Sequence, residues 1–174
     1  MNICRERQIH EGEAGARLEA IVDLGAMGRD DEESAYPFAI ANLRETGLPA
    51  IEPRAMWRAL LGDLTLKTPA PLIAARFHKG LAKIVVAMTK KLARREVASD
   101  ARFDTVALSG GCFQNRILFE EIVRRLEEEN FTVLSHERVP ANDGGLALGQ
   151  AAIGAARLID GGGTTSRNPG QTKG

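Results

Sequence analysis

Two short β-prone segments with a helical segment between them constrain the fold of this chain more than any other feature. Residues 103–108 and 131–134 favour β-strands, and residues 114–129 place Leu118 and Ile122 at helical spacing. A strand, a helix and a second strand in this order form a βαβ unit, whose strands are parallel and whose crossover is right-handed. The sequence therefore predicts an α/β fold with these two strands side by side.

Both predicted strands run into polar loops that contain glycine. Ser109-Gly110-Gly111 follows the first strand, and Asn142-Asp143-Gly144-Gly145 follows the second after a short connection. Ligands bind outside the carboxyl ends of parallel strands. Because adjacent parallel strands end at the same edge of a sheet, we expect the two loops to converge on one site.

Each loop also has an ordinary structural interpretation. A glycine loop before a helix suits phosphate, because its N–H groups are accessible and the helix N-terminus is partially positive. The same residues form plain tight turns, and neither a Walker A motif nor GxGxxG occurs in the sequence. Asn115 is expected either to cap the following helix or to contact a ligand. Asp143 is expected either to cap its helix or to bind a metal ion.

Five further residues are weaker candidates. His78 lies in a long amphipathic segment and His136 in a loop, and both are interpreted as packing or surface histidines. Cys112 has no identified base partner and is interpreted as a small buried residue. Glu11-Gly12 precedes a helix and forms either a capping turn or part of a ligand loop.

The rest of the chain is predicted to be mainly helical. Residues 69–97 carry the strongest helical periodicity, residues 12–24 a weaker one, and Pro53 opens a further helix. The acidic residues 25–36 are predicted to form a loop. Residues 161–174 contain little apolar surface to bury and are predicted to be disordered.

Composition excludes several classes of protein. The chain has 23 Lys and Arg against 23 Asp and Glu, so nothing global attracts it to nucleic acid or to an anionic membrane. No apolar run approaches the roughly 18 residues that span a bilayer. The first ten residues lack a signal-peptide region. Two distant cysteines exclude a disulfide framework, which favours a cytoplasmic location.

Two long motifs carry a resemblance to a known family. Val106–Arg116 (VALSGGCFQNR) and Arg138–Ala151 (RVPANDGGLALGQA) resemble the HypF carbamoyltransferases of [NiFe]-hydrogenase maturation. The two motifs stand in the order and at the separation that this family has, and together with weaker similarities they cover roughly residues 3–158. The weaker similarities are Glu11–Ala14 with Leu18-Glu19, Tyr36–Phe38 and Ala74–His78.

The resemblance implies a fold and an activity. Residues 1–160 would form the C-terminal lobe of a module similar to the catalytic subunit of tRNA threonylcarbamoyl-transferase. That lobe is the helix-rich half of an actin-like ATPase (ribonuclease H-like) fold. Members of the family use carbamoyl phosphate and ATP to form a carbamoyl adenylate. They transfer the carbamoyl group to the C-terminal cysteine of HypE, on the route to the hydrogenase cyanide ligands.

The resemblance also assigns residues to a site. The residues implied to bind the nucleotide are Ser109, Gly110, Gly111, Asn115, Glu11 and Gly12. Asp143 matches an aspartate that joins histidines of the other lobe on a divalent metal ion, which would be iron, zinc or magnesium. No catalytic residue is assigned.

The resemblance has consequences for partners. The first lobe and the other N-terminal regions of the family are not present in these 174 residues, so we expect them, together with HypE, to be partners. The helix over residues 69–97 and the helix after Gly145 are expected to expose apolar surface that promotes self-association. A non-catalytic remnant that binds nucleotide or a maturation partner is the alternative to an enzyme fragment. A phosphotransferase of similar fold is a third possibility, disfavoured by the two motifs.

Overall fold

A 24-residue helix, α4 (Ala70–Ala93), is the central element of the structure. The structure is a computed structural model that describes residues 9–29, 34–94 and 103–161. Pro69 immediately precedes the helix, and Lys90 and Lys91 in its last turn complement the negative C-terminal end of its dipole. The other elements are α1 (Glu13–Ala20), α2 (Leu24–Met27), β1 (Ala39–Asn42), β2 (Pro49–Glu52), α3 (Arg54–Thr65), β3 (Thr105–Ala107), α5 (Arg116–Glu128), β4 (Thr132–Leu134) and α6 (Leu146–Gly161).

Helix α4 contributes to two apolar clusters. Ala82 and Val86 pack in one cluster with the buried residues of the βαβ unit, which are Leu108, Leu118, Ile122 and Leu126. Ile73 packs in the other cluster with Tyr36 and Met56. The expectation that the helix over residues 69–97 exposes an apolar face is therefore wrong for its described part, because α4 is covered by its neighbours along most of its length.

The predicted parallel strand pair is confirmed. Strands β3 and β4 pair in parallel with Val106 opposite Val133, and helix α5 connects them. The Leu108 amide N–H donates to the Leu134 carbonyl at 2.8 Å, which extends the pairing by one bond toward the loops. Each strand is shorter than predicted, because Phe103 and Phe131 lie outside the ladder and contact each other through their rings, 6.3 Å apart between centroids.

Two elements differ from the sequence-based predictions. The segment over residues 12–24 is not one helix: α1 ends at Ala20, and Asp23 caps α2 by accepting a hydrogen bond from the Ala26 amide at 2.9 Å. Part of the predicted acidic loop is therefore helical. An antiparallel hairpin of β1 and β2 was not predicted, because its side chains are half-buried or exposed without strict alternation.

Helix α6 is confirmed as an exposed helix. The side chains of residues 146–159 are all exposed, and those of Leu158 and Ile159 reach about four-fifths of their full exposure, at 80% and 78%. Gly161, the first residue of the predicted disordered tail, is the last residue of α6, and residues 162–174 lie outside the described residues. Among the described residues no helix combines the length and the apolar character needed to cross a membrane.

A buried carboxylate organises the junction of α3, α4 and the segment before β1. Asp63 accepts hydrogen bonds from the Tyr36 hydroxyl at 2.6 Å, from the Arg76 guanidinium at 2.7 Å and from the Thr68 hydroxyl at 3.1 Å. Burial alone would raise the pKa of Asp63, but these hydrogen bonds and the charge of Arg76 together lower it. Burial and the same contact with Asp63 raise the pKa of Tyr36.

A backbone contact brings the chain close to α4 at Gly80. The Tyr36 amide donates to the Arg76 carbonyl at 3.0 Å. A Cβ atom added at Gly80 would lie 2.3 Å from the Tyr36 carbonyl oxygen, closer than such atoms approach in real proteins. Only glycine therefore fits at this point of the helix.

We expect Gly80→Ala to destabilise the protein by about 2 kcal/mol, because the added methyl group collides with backbone rather than with a movable side chain. Gly62→Ala in α3 is the matched control, since nothing lies within 4 Å of a Cβ added there. Alanine favours a helix over glycine, so Gly62→Ala should leave stability unchanged or raise it by up to about 1 kcal/mol. Denaturant unfolding measures the free energy of unfolding of both variants. Equal changes in the two variants would contradict the close approach of the Tyr36 backbone to Gly80.

We expect Asp63→Asn to lower stability by about 2 kcal/mol at neutral pH, since Arg76 loses a charged partner. The folded-state pKa of Asp63 is lowered, so its contribution is present above its unfolded pKa of about 3.9 and is lost as the pH falls through the folded value. The difference between the two proteins should therefore shrink below about pH 4. Glu52→Gln, in the exposed Glu52–Arg54 pair, is the control. A constant difference from pH 7 to pH 3 would refute the role of ionised Asp63.

Candidate functional site

The two glycine loops meet at the carboxyl edge of β3 and β4, as the sequence predicted. The Gly110 amide donates to the Ala141 carbonyl at 2.8 Å. A Cβ atom added at Gly111 would lie 3.8 Å from the Cβ atom of Asn142, which places the backbones of the two loops in contact. Gly110 adopts a φ of +109°, a conformation that side-chain-bearing residues rarely adopt. The loop after β3 therefore needs a glycine at this position.

A second contact joins the loops through side chains. The Ser109 hydroxyl and the His136 Nε2 atom are 2.9 Å apart, and both residues are exposed. His136 follows β4 in the connection to the second loop. It was interpreted from sequence as a surface or packing residue, because a lone histidine without ligand spacing carries no site signal. His136 lies close to Ser109 because the parallel strands β3 and β4 end at the same edge of the sheet.

The first loop continues into a 3-10 turn, Gly111–Gln114. The N–H groups of Gly111 and Cys112 open this turn and have no hydrogen-bond acceptor among the described residues. Cys112 is exposed, so its interpretation as a buried residue is wrong. Cys112 lies in this turn before α5, whereas its neighbour Phe113 packs against the apolar core. The two N–H groups are suited to an oxygen-rich ligand.

Asn115 caps helix α5 and also contacts the central helix. Its Oδ1 atom accepts a hydrogen bond from the Leu118 amide at 2.9 Å, and its Nδ2 atom lies 2.8 Å from His78 Nε2. The capping interpretation of Asn115 is therefore confirmed. The predicted ligand contact is compatible with this cap, because the amide group has a second hydrogen.

A carboxylate occupies the N-terminus of α5. Glu19, near the end of α1, accepts hydrogen bonds from the Arg116 amide at 2.7 Å and from the Ile117 amide at 3.3 Å through one oxygen, Oε1. With Asn115, it satisfies the first free N–H groups of the helix. The helix N-terminus that the sequence suggested for phosphate is thus already paired with an internal anion. Glu19 was not predicted as a site residue, and its sequence signal is only the Leu18-Glu19 similarity.

The residues Glu11 and Gly12 lie at the other end of α1. Gly12 stands at the N-cap position with a φ of +81°, and Glu11 is exposed. Glu19 is seven residues further along this helix than Gly12, a rise of about 10 Å. The structure joins Glu19 to the loop region, and it joins neither Glu11 nor Gly12 to it by any hydrogen bond between described residues.

Asp143 lies in the second loop with its side chain exposed. It opens a 3-10 turn, Asp143–Gly145, and Asn142 rather than Asp143 caps that turn, through a 3.1 Å bond from the Gly144 amide. The interpretation of Asp143 as an N-cap is therefore wrong, and its carboxylate remains available. Across the described ranges no three His, Cys, Asp or Glu side chains form a group that could hold a metal ion. One carboxylate does not make a metal site, so Asp143 fits a metal only if further ligands come from elsewhere.

A cavity of about 640 Å³ lies away from the loops. It is between the β1–β2 hairpin and the last turns of α4, and Lys90, Lys91 and Arg94 line it together with apolar residues. None of the predicted site residues contributes to this cavity. The predicted site residues that the structure brings together lie instead where the two loops meet, at the exposed edge of the β3–β4 sheet.

A family model matches the part of the chain that contains the parallel strand pair, the two glycine loops and the capped helix. The model is described as carbamoyltransferase, Kae1-like domain, second subdomain, and it matches residues 1–150. The match covers far more than half of the chain, so the class of the protein is that of a carbamoyltransferase subdomain. The chain belongs to the HypF family of carbamoyltransferases.

Curated relatives agree with this assignment. Carbamoyltransferase HypF of Rhodobacter capsulatus is 35% identical over 159 residues, which cover 91% of this chain and 18% of that protein. Carbamoyltransferase HypF2 of Cupriavidus necator is 30% identical over 167 residues, which cover 88% of this chain and 20% of that protein. The chain therefore spans about a fifth of the length of the relatives it matches.

Solved structures agree as well. A crystal structure of full-length HypF in a phosphate- and nucleotide-bound form matches with a TM-score of 0.69 at 30% identity, over 88% of this chain and 18% of that one. The crystal structure of HypF from T. kodakarensis matches with a TM-score of 0.59 at 23% identity over the same shares, which supports the fold. The predicted helix-rich α/β lobe with a parallel strand pair is confirmed.

We expect Glu19→Ala to destabilise the protein by about 1 kcal/mol, because the α5 N-terminus loses a capping anion. The amide hydrogens of Arg116 and Ile117 should exchange faster with solvent. Glu11→Ala removes an exposed carboxylate just before α1, the helix that carries Glu19. This variant should change neither the stability nor the exchange of the two amide hydrogens. Unchanged exchange at Arg116 and Ile117 in Glu19→Ala would show that Glu19 does not cap α5.

Proposed function

We propose that this chain provides one wall of a nucleotide cleft in a HypF-type carbamoyltransferase. The observation that supports this proposal most directly is that the two glycine loops meet at the edge of β3 and β4, where a hydrogen bond joins them. In open α/β sheets this edge is where ligands bind. The related full-length HypF structure is described as phosphate- and nucleotide-bound, which supports a nucleotide as the ligand, and ATP is the nucleotide that we propose.

The polar groups of the edge suit different parts of a nucleotide. The free N–H groups of Gly111 and Cys112 would donate to phosphate oxygens. The Glu19 carboxylate uses Oε1 for its two bonds to α5, so Oε2 is available to accept from a hydroxyl group. Asn115 would donate from Nδ2. Such an arrangement binds and orients a ligand, and it contains no assigned nucleophile or general base.

The proposal includes a metal ion that this chain would hold only in part. Asp143 would supply one oxygen ligand to a divalent ion, with iron, zinc and magnesium as the candidates. The other ligands would come from the first subdomain. A bound divalent ion would neutralise phosphate charge. We assign no reaction step to Asp143 beyond coordination.

The whole enzyme would use carbamoyl phosphate and ATP to form a carbamoyl adenylate. Hydrolysis of carbamoyl phosphate would release phosphate and leave carbamate, whose oxygen would bond to the α-phosphorus of ATP as pyrophosphate leaves. The sulfur of the HypE C-terminal cysteine would then attack the carbamoyl carbon. A carbon–sulfur bond forms, the bond from that carbon to the AMP phosphate oxygen breaks, and the thiol proton is lost to solvent or a base. In this scheme the present chain holds the nucleotide, and the remaining regions of HypF supply the other wall and the earlier chemistry.

An NMR titration of the 174-residue chain with ATP tests the proposal. We expect amide shifts at residues 109–115 and 141–145, with a Kd of about 1 mM because only one wall is present. Gly110→Ala should weaken binding at least about tenfold, since its backbone conformation is one that alanine rarely adopts.

Gly47→Ala is the control for this titration. Gly47 also has a positive φ, of +65°, but it lies in the β1–β2 hairpin away from the loops. Its substitution strains the backbone without touching the proposed cleft, so ATP affinity should stay at the wild-type value. The proposal fails if saturating ATP shifts no amide of the two loops, or if Gly47→Ala weakens binding as much as Gly110→Ala.

A further inference from the structure

One buried histidine links the central helix to the loop edge. His78, on α4, is only 2% exposed. Its Nδ1 atom lies 2.8 Å from the Ala74 carbonyl oxygen, and its Nε2 atom lies 2.8 Å from Asn115 Nδ2. Both ring nitrogens are thus engaged, one within α4 and one across to the cap of α5.

The chemistry of the partners determines the tautomer of this ring. A carbonyl oxygen only accepts hydrogen bonds, so the nitrogen that faces Ala74 carries the hydrogen. In the neutral ring Nε2 is then an acceptor, and it takes a hydrogen from the Asn115 amide group. The orientation of Asn115 is determined independently, because the Leu118 amide donates to its other end, Oδ1. The two assignments agree with each other.

This pairing limits what Asn115 offers to a ligand. Its Oδ1 atom serves the helix cap, and one Nδ2 hydrogen serves His78. The second Nδ2 hydrogen has no acceptor among the described residues. Asn115 can therefore donate one hydrogen bond to a ligand. If Asn115 rotated its amide by half a turn, Nδ2 would face the Leu118 amide and Oδ1 the bare Nε2 atom, and neither pairing would form a hydrogen bond.

We propose that His78 is a positioning residue that holds the Asn115 amide group ready to donate to a bound nucleotide. The proposal rests on the proposed nucleotide cleft and deepens it. His78 itself touches no ligand. It acts through Asn115, and the matching ligand atom must be an acceptor, such as a ribose oxygen, a ring nitrogen or a phosphate oxygen.

Three substitutions separate this role from simple packing. His78→Leu removes the acceptor that faces Asn115 and fills the space with apolar atoms. His78→Gln restores an acceptor, because its Oε1 atom can take the Nδ2 hydrogen. Asn115→Asp keeps the α5 cap through a carboxylate oxygen but removes the donor. Circular dichroism and thermal unfolding of each variant confirm that it is folded before binding is measured.

The test combines a spectroscopic signature with ATP binding. In the free wild-type chain, the ¹⁵N shifts of the His78 ring should show a protonated Nδ1 and a bare Nε2. With ATP as the probe, we expect Asn115→Asp and His78→Leu to weaken binding about tenfold, the effect of losing one hydrogen bond to a ligand. His78→Gln should remain within about threefold of the wild type.

The outcomes distinguish this proposal from the proposed function. If the wild type and His78→Leu bind ATP equally and Asn115→Asp binds weakly, the cleft stands and the role of His78 is overturned. A bare Nδ1 in the ring spectrum would overturn it without reference to ATP. If the wild type shows no ATP-dependent shift, the proposed cleft and the positioning role both fail, even where the ring signature is as expected.

Discussion

Burial of helix α4 on several sides is the constraint on which the rest of the structure depends. Ile73 faces the cluster with Tyr36 and Met56, while Ala82 and Val86 pack against the βαβ unit. Small residues on the helix let its neighbours approach, and at Gly80 the backbone of Tyr36 lies in direct contact. The same helix carries His78 toward Asn115. The core and the loop edge are therefore positioned by one element.

The loop edge satisfies many of its own polar groups before any ligand binds. Glu19 and Asn115 pair with the first N–H groups of α5, and Ser109 pairs with His136. Capping and ligand binding thus draw on the same side chains, which explains why the capping and ligand interpretations of Asn115 are not exclusive. Among the described residues, the groups left for a ligand include the N–H donors of Gly111 and Cys112, one hydrogen of Asn115, the Oε2 atom of Glu19 and the Asp143 carboxylate.

Local pattern was enough to predict the βαβ unit, because its strands are bounded by glycine loops and its helix by a clear apolar face. It was enough to predict that Ser109–Gly111 and the Asp143 loop converge, since parallel strands end at one edge. It did not predict the contact of Glu19 with Arg116 or that of His78 with Asn115, because these pairs are 97 and 37 residues apart in the chain. It also failed for the β1–β2 hairpin, which has no alternating apolar face.

The central claim is that the two glycine loops converge, and it is tested most directly by detecting the hydrogen bond between them. In a ¹⁵N- and ¹³C-labelled chain, a through-bond coupling across the bond from the Gly110 amide to the Ala141 carbonyl would report it. The 2.8 Å bond in the structure predicts a resolved coupling and slow exchange of the Gly110 amide hydrogen. Rapid exchange at Gly110 with no such coupling would mean that the loops do not converge, and the cleft built on them would not exist.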